Sequence, residues 1–375
     1  MVFETGCGAI YNLIPGRGIN DGYPAINQDQ AEGTGVYDAS VVSSFTQGGY
    51  YYELLPDTGK FVYVNIYNAL CAVGKASFVT DSKETIETAF KSVMYDHPEI
   101  YYVQGYSIES MRNGSDLSVT FDPMYTRTIE LIEQSKEEID AYRNDVALSI
   151  GDATTDFDKA KAIYDYIVLN TSYSIEAVET DNIFSVIHNG ISVCEGYAKA
   201  YQLLMHDAGI ECTVVTGNVR ATGVAHMWNA AKLDGEWYFF DPTWGDINFE
   251  NDEQAPEVRY DYFAATTSQI VGTHIIDTDF KLPDCHSVQD NYFIHENMYI
   301  TDQTTEGQIA ELLSPLAEGR VVSFMCSTES VYLKLKDRLV SQGLIALYSG
   351  GSQHNVGYAA NDSLFTLSFW LQDKK

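Results

Sequence analysis

Residues 189–246 read NGISVCEGYAKAYQLLMHDAGIECTVVTGNVRATGVAHMWNAAKLDGEWYFFDPTWGD, a stretch that combines a cysteine, a helical pattern and two strand patterns. The two strand patterns carry a histidine and an aspartate. Apolar residues recur at helical spacing after the cysteine, whereas the later segments have the length and aromatic content of strands. This order predicts one compact unit in which a helix buries one face against an antiparallel sheet.

The helix is predicted to begin beside Cys194. Ser192 and Glu195 have the S-x-x-E spacing of a capping box, which would place Ser192 at the N-cap and Glu195 at the third helical position. Gly209 is a typical C-terminal stop. A thiol in the first turn faces the positive end of the helix dipole and unpaired backbone N–H groups, which lower its pKa and can stabilise an oxyanion. Cys194 is therefore a candidate nucleophile.

The two strands are predicted at residues 225–233 and 236–241, joined by a two-residue hairpin turn at Asp234-Gly235. Such a turn pairs the residues on either side of it and sets the register of the whole ladder. His226 and Asp241 then become diagonal neighbours on one face of the hairpin, so that their side chains can meet. Asn229 falls on the opposite face and is predicted to be structural.

A cysteine, a histidine and a carboxylate in these positions make a nucleophile, a base and an orienting group. At this point the chain resembles the bacterial transglutaminase-like proteins of the papain-like cysteine superfamily. The motifs that carry the resemblance are VCEGYA at 193–198, HMWN at 226–229 and DGEWYFFDPTWGD at 234–246. Weaker similarities are DHPEIYYV at 96–103 and YDYIVLNTSYS at 164–174.

The resemblance implies Cys194 as nucleophile, His226 as general base and acid, and Asp241 as orienting group, with no metal or organic cofactor. It also implies an enzyme that acts on peptide or glutamine amide bonds through a thioester. Crosslinking animal transglutaminases carry Gly-Gln-Cys-Trp at the nucleophile, where this chain has SVCE at 192–195. Hydrolysis by a protease or amidase and transfer to an amine therefore both stay open, and the second oxyanion donor is not identified.

Four further residues are predicted to lie close to the site. Glu195 is expected to be a capping carboxylate, and aromatic side chains beside a hairpin more often pack in the core than line a substrate channel. Three histidines farther along lack the spacing of metal ligands and are left without a role. The site-proximal residues are Glu195, Tyr197, Trp228 and Trp244, and the uncommitted histidines are His274, His286 and His295.

Composition limits the partners. The chain has 22 basic and 53 acidic residues, a formal charge of −31, which disfavours nucleic acid and anionic membranes and favours solubility. A protein or peptide substrate is what the family resemblance implies. No apolar run is long enough to span a bilayer, and the six cysteines have neither zinc-site nor disulfide-framework spacing. The tyrosine-rich, lysine-poor composition is typical of exported bacterial proteins, which favours the cell surface or the extracellular space. No signal peptide is recognisable, so the cytoplasm is the alternative, and the oligomeric state is left open.

The expected fold class is α+β, with a transglutaminase-like, papain-like core of a helix packed on an antiparallel sheet and smaller α/β modules on either side. Within that core, residues 260–263 are expected to form a closing strand. The predicted segments are an irregular N-terminal arm at 1–55, a small α/β module at 56–125, the catalytic core at 126–300 and a C-terminal α/β module at 301–375.

Two functions from different classes fit these patterns. The first is a transglutaminase-like cysteine enzyme that performs acyl transfer. The second is a catalytically silent scaffold of the same fold that serves as a cell-surface binding or assembly protein. A silent scaffold would often have lost one member of the triad, whereas Cys194, His226 and Asp241 are all present. The sequence therefore favours the enzyme.

Overall fold

The structure is a computed structural model that describes residues 37–175, 181–246, 255–351 and 354–373. Residues 1–36 of the predicted arm lie outside these ranges. The rest of the arm forms two short helices rather than irregular chain. Asp96 explains the second of them, because its carboxylate accepts hydrogen bonds from the backbone N–H groups of Tyr51 (2.9 Å) and Tyr52 (2.8 Å). These helices are α1 (Ala39–Ser44) and α2 (Tyr50–Leu54).

The next segment confirms the predicted mixture of helices and strands between residues 56 and 122. Ser82 begins one helix by accepting a hydrogen bond from the Thr85 N–H (3.1 Å), and Gly114 makes the turn between two strands with a φ of +65°. The three strands form an antiparallel sheet in the order β1-β3-β2. The elements are α3 (Asp57–Cys71), β1 (Ala76–Thr80), α4 (Lys83–Asp96), β2 (Val103–Asn113) and β3 (Asp116–Tyr125).

Two long helices lead to the central unit, each with a threonine at its N-cap. Thr128 accepts from the Leu131 N–H, and Thr155 accepts from the Asp158 N–H. A pair of two-residue strands then brings the chain to the start of the cysteine helix. The elements are α5 (Ile129–Ile150), α6 (Asp156–Asn170), β4 (Ser172–Tyr173), β5 (Ile191–Ser192) and α7 (Cys194–Asp207).

Helix α7 packs on an antiparallel sheet whose strand order is β8-β7-β6-β9. Gly209 ends the helix with a φ of +78°, as predicted. Asn229 confirms its predicted structural role, because its side-chain amide donates to the carbonyl of Ala198 (2.9 Å) and ties the sheet to the helix. The elements are β6 (Cys212–Val219), β7 (Ala225–Leu233), β8 (Glu236–Phe240), α8 (Thr267–Ile270) and β9 (His274–Ile276).

The strand predicted at residues 260–263 is wrong. This segment turns, with the N–H of Phe263 donating to the carbonyl of Tyr260 (3.1 Å). Asp261, Tyr262 and Phe263 are all buried, and a turn can direct consecutive side chains into the core whereas a strand alternates them. Ala265, just after the turn, exchanges two backbone hydrogen bonds with Phe239 (2.8 Å each) at one edge of the sheet, while β9 pairs with β6 at the other edge.

The C-terminal part builds a second four-stranded sheet in the order β10-β11-β13-β12, with its own hydrophobic cluster. A third cluster joins this part to the central sheet through Trp228, Met325 and Leu364. None of the described helices is long and apolar enough to cross a membrane. The elements are α9 (Tyr292–His295), β10 (Tyr299–Ile300), α10 (Glu306–Leu313), β11 (Val322–Cys326), α11 (Glu329–Lys336), β12 (His354–Asn361) and β13 (Thr366–Asp373).

The architecture confirms the α+β class. One hydrophobic cluster runs from Tyr52 to Ala264 and crosses the boundary predicted between residues 125 and 126, so the N-terminal sheet and the central unit share a core. Residues of α7 and of the central sheet belong to this shared core together with the N-terminal sheet. The proposed segment boundaries stay a prediction.

Candidate active site

Helix α7 begins at Cys194, whose N-cap is Val193 in extended conformation (φ −106°, ψ 178°) with no side-chain capping bond. The predicted capping box is therefore wrong. Ser192 belongs to β5, one residue before the N-cap, and its hydroxyl lies 2.8 Å from the hydroxyl of Ser185. Pairing of β5 with β4 takes the serine away from the cap position. Cys194 nevertheless lies in the first turn of α7, as predicted.

Glu195 does not cap the helix either. Its carboxylate pairs with Lys199 one turn later at 2.8 Å, and both side chains are buried. Burial raises the pKa of Glu195, as does nearby Asp181, while the Lys199 ammonium acts in the opposite direction. Glu195 is thus an ion-pairing residue within α7, in the position next to Cys194.

Gly196 holds the start of α7 against the chain that precedes it. A Cβ at this position would lie 1.9 Å from the Ser192 hydroxyl oxygen and 2.8 Å from the backbone carbonyl oxygen of Asn182. We expect Gly196→Ala to push the first turn out of place and to cost about 1 to 3 kcal/mol of folding free energy by overpacking. Urea unfolding measures this cost. Alkylation of reduced Cys194 reports whether the turn has moved.

Gly307→Ala is the matched control, because Gly307 is also in the first turn of a helix and its Cβ would meet nothing closer than 3.9 Å. Alanine there should be neutral or slightly stabilising. Equal stability of the two variants would show that Gly196 has no packing role.

The hairpin follows the predicted register. Asp234 and Gly235 have φ values of +48° and +91°, as a type I′ turn requires. Leu233 pairs with Glu236, and the ladder continues to Asn229 paired with Phe240. His226 and Asp241 are thereby brought to one face at the open end of the hairpin.

The two side chains meet there. His226 Nε2 lies 2.8 Å from Asp241 Oδ2, and both residues are buried. The other carboxylate oxygen of Asp241 accepts a hydrogen bond from the backbone N–H of Trp244 (3.2 Å). The hydroxyl of Tyr164 donates to the Asp241 backbone carbonyl (3.0 Å). Side chain and backbone of Asp241 are therefore both held in one position.

Electrostatics keep Asp241 ionised. Burial alone would raise the pKa of its carboxyl, but the charge and hydrogen bond of His226, together with those of His274, outweigh burial and hold the pKa below its usual range. An ionised carboxylate only accepts hydrogen bonds, so Nε2 of His226 carries the proton between them. In the neutral imidazole Nδ1 is then unprotonated, and this is the nitrogen that can act as a base.

Aromatic side chains surround His226. The rings of Trp228 and Trp244 each lie 5.7 Å from its imidazole, centroid to centroid. Both tryptophans thus lie next to His226. Tyr197 is placed differently: its hydroxyl donates to Asp246 and ties α7 to the segment after Asp241.

Cys194 is buried in an apolar cluster that includes Met227, the residue next to His226 on β7. The cluster also contains Val214 of β6, together with Tyr51 and Tyr95, and it joins the start of α7 to the strand that carries the histidine. The sulfur of Cys194 is disulfide-bonded in this structure. Nucleophilic chemistry therefore belongs to the reduced form.

His274, which the sequence interpretation left without a role, is part of the site. It is the first residue of β9, and its Nε2 lies 3.1 Å from the same Asp241 oxygen that contacts His226. The strand is three residues long and lies 33 residues after Asp241 in the chain, so no local pattern marks this histidine. Only its pairing with β6 brings it to the site.

His274 should make folding stability depend on pH. Burial lowers the pKa of His274 below the ordinary value of 6.5, and the hydrogen bond that His274 donates to Asp241 offsets this effect only in part. As pH falls through this value, the unfolded chain takes up a proton that the folded protein resists, so the free energy of unfolding falls on acidification. One such group accounts for up to about 1.4 kcal/mol between about pH 7.5 and about pH 5.5.

Urea unfolding of the wild type and of His274→Gln over this range measures the difference. The substituted protein should lose less stability on acidification than the wild type. Parallel pH curves for the two proteins would show that His274 does not resist protonation in the folded state.

His226, Asp241 and His274 also form a set of three potential metal ligands, whose donor atoms lie within 4.8 Å of one another. The same three atoms are engaged in the two imidazole–carboxylate hydrogen bonds. A metal ion would have to replace both bonds. The two imidazole rings and the carboxylate already satisfy one another's hydrogen bonds without an ion.

Part of the chain is similar to the transglutaminase-like superfamily. Residues 144–242 match the family model for the transglutaminase-like superfamily, and they include Cys194, His226 and Asp241. The chain is similar to the kyphoscoliosis peptidase of Homo sapiens, 25% identical over 150 residues that make up 33% of this chain and 23% of that protein. It is also similar to the Lim and transglutaminase domain protein ltd-1 of Caenorhabditis elegans, 27% identical over 168 residues, or 37% and 23% of the two chains.

A crystal structure of a TGase is similar over 43% of this chain and 49% of that one, with 18% identity and a TM-score of 0.29. The chain spans less than a quarter of the length of the two curated relatives.

Proposed function

We propose that the protein is a cysteine enzyme that transfers acyl groups from peptide or glutamine amides, with Cys194 as nucleophile, His226 as general base and acid, and Asp241 as orienting group. The observation that carries the proposal is the buried 2.8 Å contact between His226 Nε2 and Asp241 Oδ2. This contact leaves Nδ1 of His226 as the basic atom of the pair. The start of α7 supplies a cysteine in the adjoining cluster.

The first half-reaction forms the thioester. His226 Nδ1 accepts the proton of the reduced Cys194 thiol, and the thiolate adds to the substrate carbonyl carbon. The resulting oxyanion is stabilised by backbone N–H groups at the α7 N-terminus. As the C–N bond breaks, the His226 imidazolium gives its proton to the leaving amine or ammonia, and Asp241 stabilises the imidazolium meanwhile.

The second half-reaction releases the acyl group. Water, deprotonated by His226, attacks the thioester carbonyl and yields a carboxylic acid and the thiol; an amine in place of water yields a new amide. Hydrolysis and amine transfer thus share one intermediate, and the access of water to the thioester sets their ratio. A silent scaffold would show neither product.

A cavity of about 340 Å³ offers space for a substrate side chain. Phe280 lines it and packs against Tyr51 of the Cys194 cluster, with ring centroids 4.7 Å apart. Ile276 of β9 lines it too, two residues after His274. We assign this cavity to the acyl donor.

Mass spectrometry after incubation with a glutamine-peptide library and a small primary amine tests the function. The protein is kept reduced, because Cys194 is disulfide-bonded in the structure. Amine-tagged peptides identify a transglutaminase, and cleaved or deamidated peptides identify a hydrolase. Either product should vanish with Cys194→Ala. Cys212→Ala is the matched control, since Cys212 is buried and free. Absence of all products from the reduced wild type would favour the scaffold.

A further inference from the structure

His274 shares the orienting carboxylate with the proposed base. Its Nε2 lies 3.1 Å from Asp241 Oδ2, and His226 Nε2 lies 2.8 Å from that same oxygen. The two imidazole rings lie 5.3 Å apart, centroid to centroid. Because Asp241 is ionised and can only accept, the proton in each contact belongs to the histidine. One oxygen therefore receives two N–H donors.

The surroundings of His274 keep it in the donating tautomer. Its Nδ1 lies 2.9 Å from the hydroxyl of Thr273, whose one proton can go to this nitrogen or to the more distant carbonyl of Ile270 (3.4 Å). With one donor on Nδ1 and a carboxylate on Nε2, the neutral ring with its proton on Nε2 satisfies both contacts. The ring itself is fully buried. Its burial disfavours the charged form, so that His274 donates as a neutral group.

The groups that face His274 come from several elements. Asp241 follows β8 and His226 lies on β7, and these are the titratable partners of its ring. Arg220 contacts only its backbone carbonyl (3.3 Å). Uncharged rings fill the remaining sides: Trp228, Trp244 and Tyr262 lie 4.7, 4.5 and 5.4 Å from the imidazole. These three rings hold the His274 imidazole in one orientation.

We propose that His274 is a positioning residue for the reaction: its neutral Nε2–H fixes the rotation of the Asp241 carboxylate so that Oδ2 stays aligned with His226. A carboxylate held only by His226 and the Trp244 N–H could turn about its Cβ–Cγ bond as His226 changes charge. A second donor on Oδ2 resists that rotation throughout the catalytic cycle. Hydrogen bonds that orient the ligands of metal sites typically change activity 10- to 100-fold, and we expect an effect of similar size here.

This inference rests on the proposed function, and His274→Leu tests it. The substitution removes the donor, so we expect kcat for the wild-type product to fall about 10- to 100-fold with little change in KM. The low-pH limb of the kcat/KM profile should move to higher pH, because Asp241 without its second donor interacts more strongly with the His226 imidazolium and the neutral base is then reached only at higher pH. His274→Gln, which can place an N–H at a similar reach, should recover most of the rate.

His286→Leu is the matched control, since His286 is an exposed histidine on the same stretch of chain. Wild-type kcat in His274→Leu would overturn the inference alone. Equal losses in the leucine and glutamine variants, without a shift of the pH limb, would overturn it too. A reduced wild type that forms no product would overturn the proposed function and this inference with it.

Nuclear magnetic resonance of the wild type tests the protonation of His274 directly, and it does not depend on whether a substituted protein folds. We expect the His274 ring to be neutral at pH 7 with its proton on Nε2. A ring protonated on Nδ1 alone, or on both nitrogens, would contradict the donor geometry.

Discussion

His226→Gln is expected to lower kcat about 10⁴- to 10⁶-fold, because the proposed reaction loses its proton acceptor while the site keeps its shape. A glutamine amide can still donate to Asp241, so the buried carboxylate is not left without a partner. The variant should therefore fold with nearly wild-type stability. Steady-state kinetics on the product found with wild type measures the loss.

Alkylation of the reduced protein gives a second readout of the same substitution. Iodoacetamide near neutral pH should label Cys194 ahead of the other described cysteines, because burial raises the pKa of Cys285 and of Cys326 to about 12. Burial likewise raises the pKa of Cys71 and Cys212 above the ordinary value. His226→Gln should slow the labelling of Cys194 and leave the others unchanged. Equal labelling of Cys194 in both proteins would remove His226 from thiol activation.

Asp241→Asn is expected to lower kcat by about 10⁴-fold, the effect of losing the orienting charge in such a triad. The asparagine fills the same space, but its amide group cannot stabilise an imidazolium and favours the wrong tautomer of His226. Asp241→Ala should act on stability as well. It leaves the N–H groups of His226, His274 and Trp244 without their acceptor, and each unsatisfied buried donor costs about 1 to 3 kcal/mol.

The effect of Asp241 on stability should depend on pH with a definite sign. The folded-state pKa lies below the ordinary value of 3.8. Its stabilising contribution is therefore complete above that value and is lost as pH falls through the folded pKa. Urea unfolding at neutral pH should show the full difference between wild type and Asp241→Ala. Turnover by Asp241→Asn equal to wild type would remove Asp241 from the mechanism.

The two readouts separate the roles that Asp241 combines. In Asp241→Asn most of the loss should appear in kcat, because the contacts of the buried site are nearly retained. In Asp241→Ala the loss should appear in both kcat and stability. This contrast follows from the structure, in which one carboxylate accepts from two rings and one backbone amide.

Local chemistry alone determined much of the site. A two-residue turn with positive φ at Asp234 and Gly235 sets the pairing of its strands, so the meeting of His226 and Asp241 was predictable from spacing. The helix after Cys194 was predictable for the same reason, since its apolar period and Gly209 are local features. The family resemblance at these motifs agrees with the superfamily match over residues 144–242.

Tertiary structure decided the rest. The cap of α7 depends on where β5 pairs, so the S-x-x-E pattern at Ser192 was misleading although its local chemistry was sound. The turn at 260–263 depends on a core that buries consecutive side chains. His274 reaches Asp241 only because three residues of β9 pair with β6 across a long separation in the chain. Contacts of this kind arise from the packing of distant segments, and a periodicity within one segment carries no information about them.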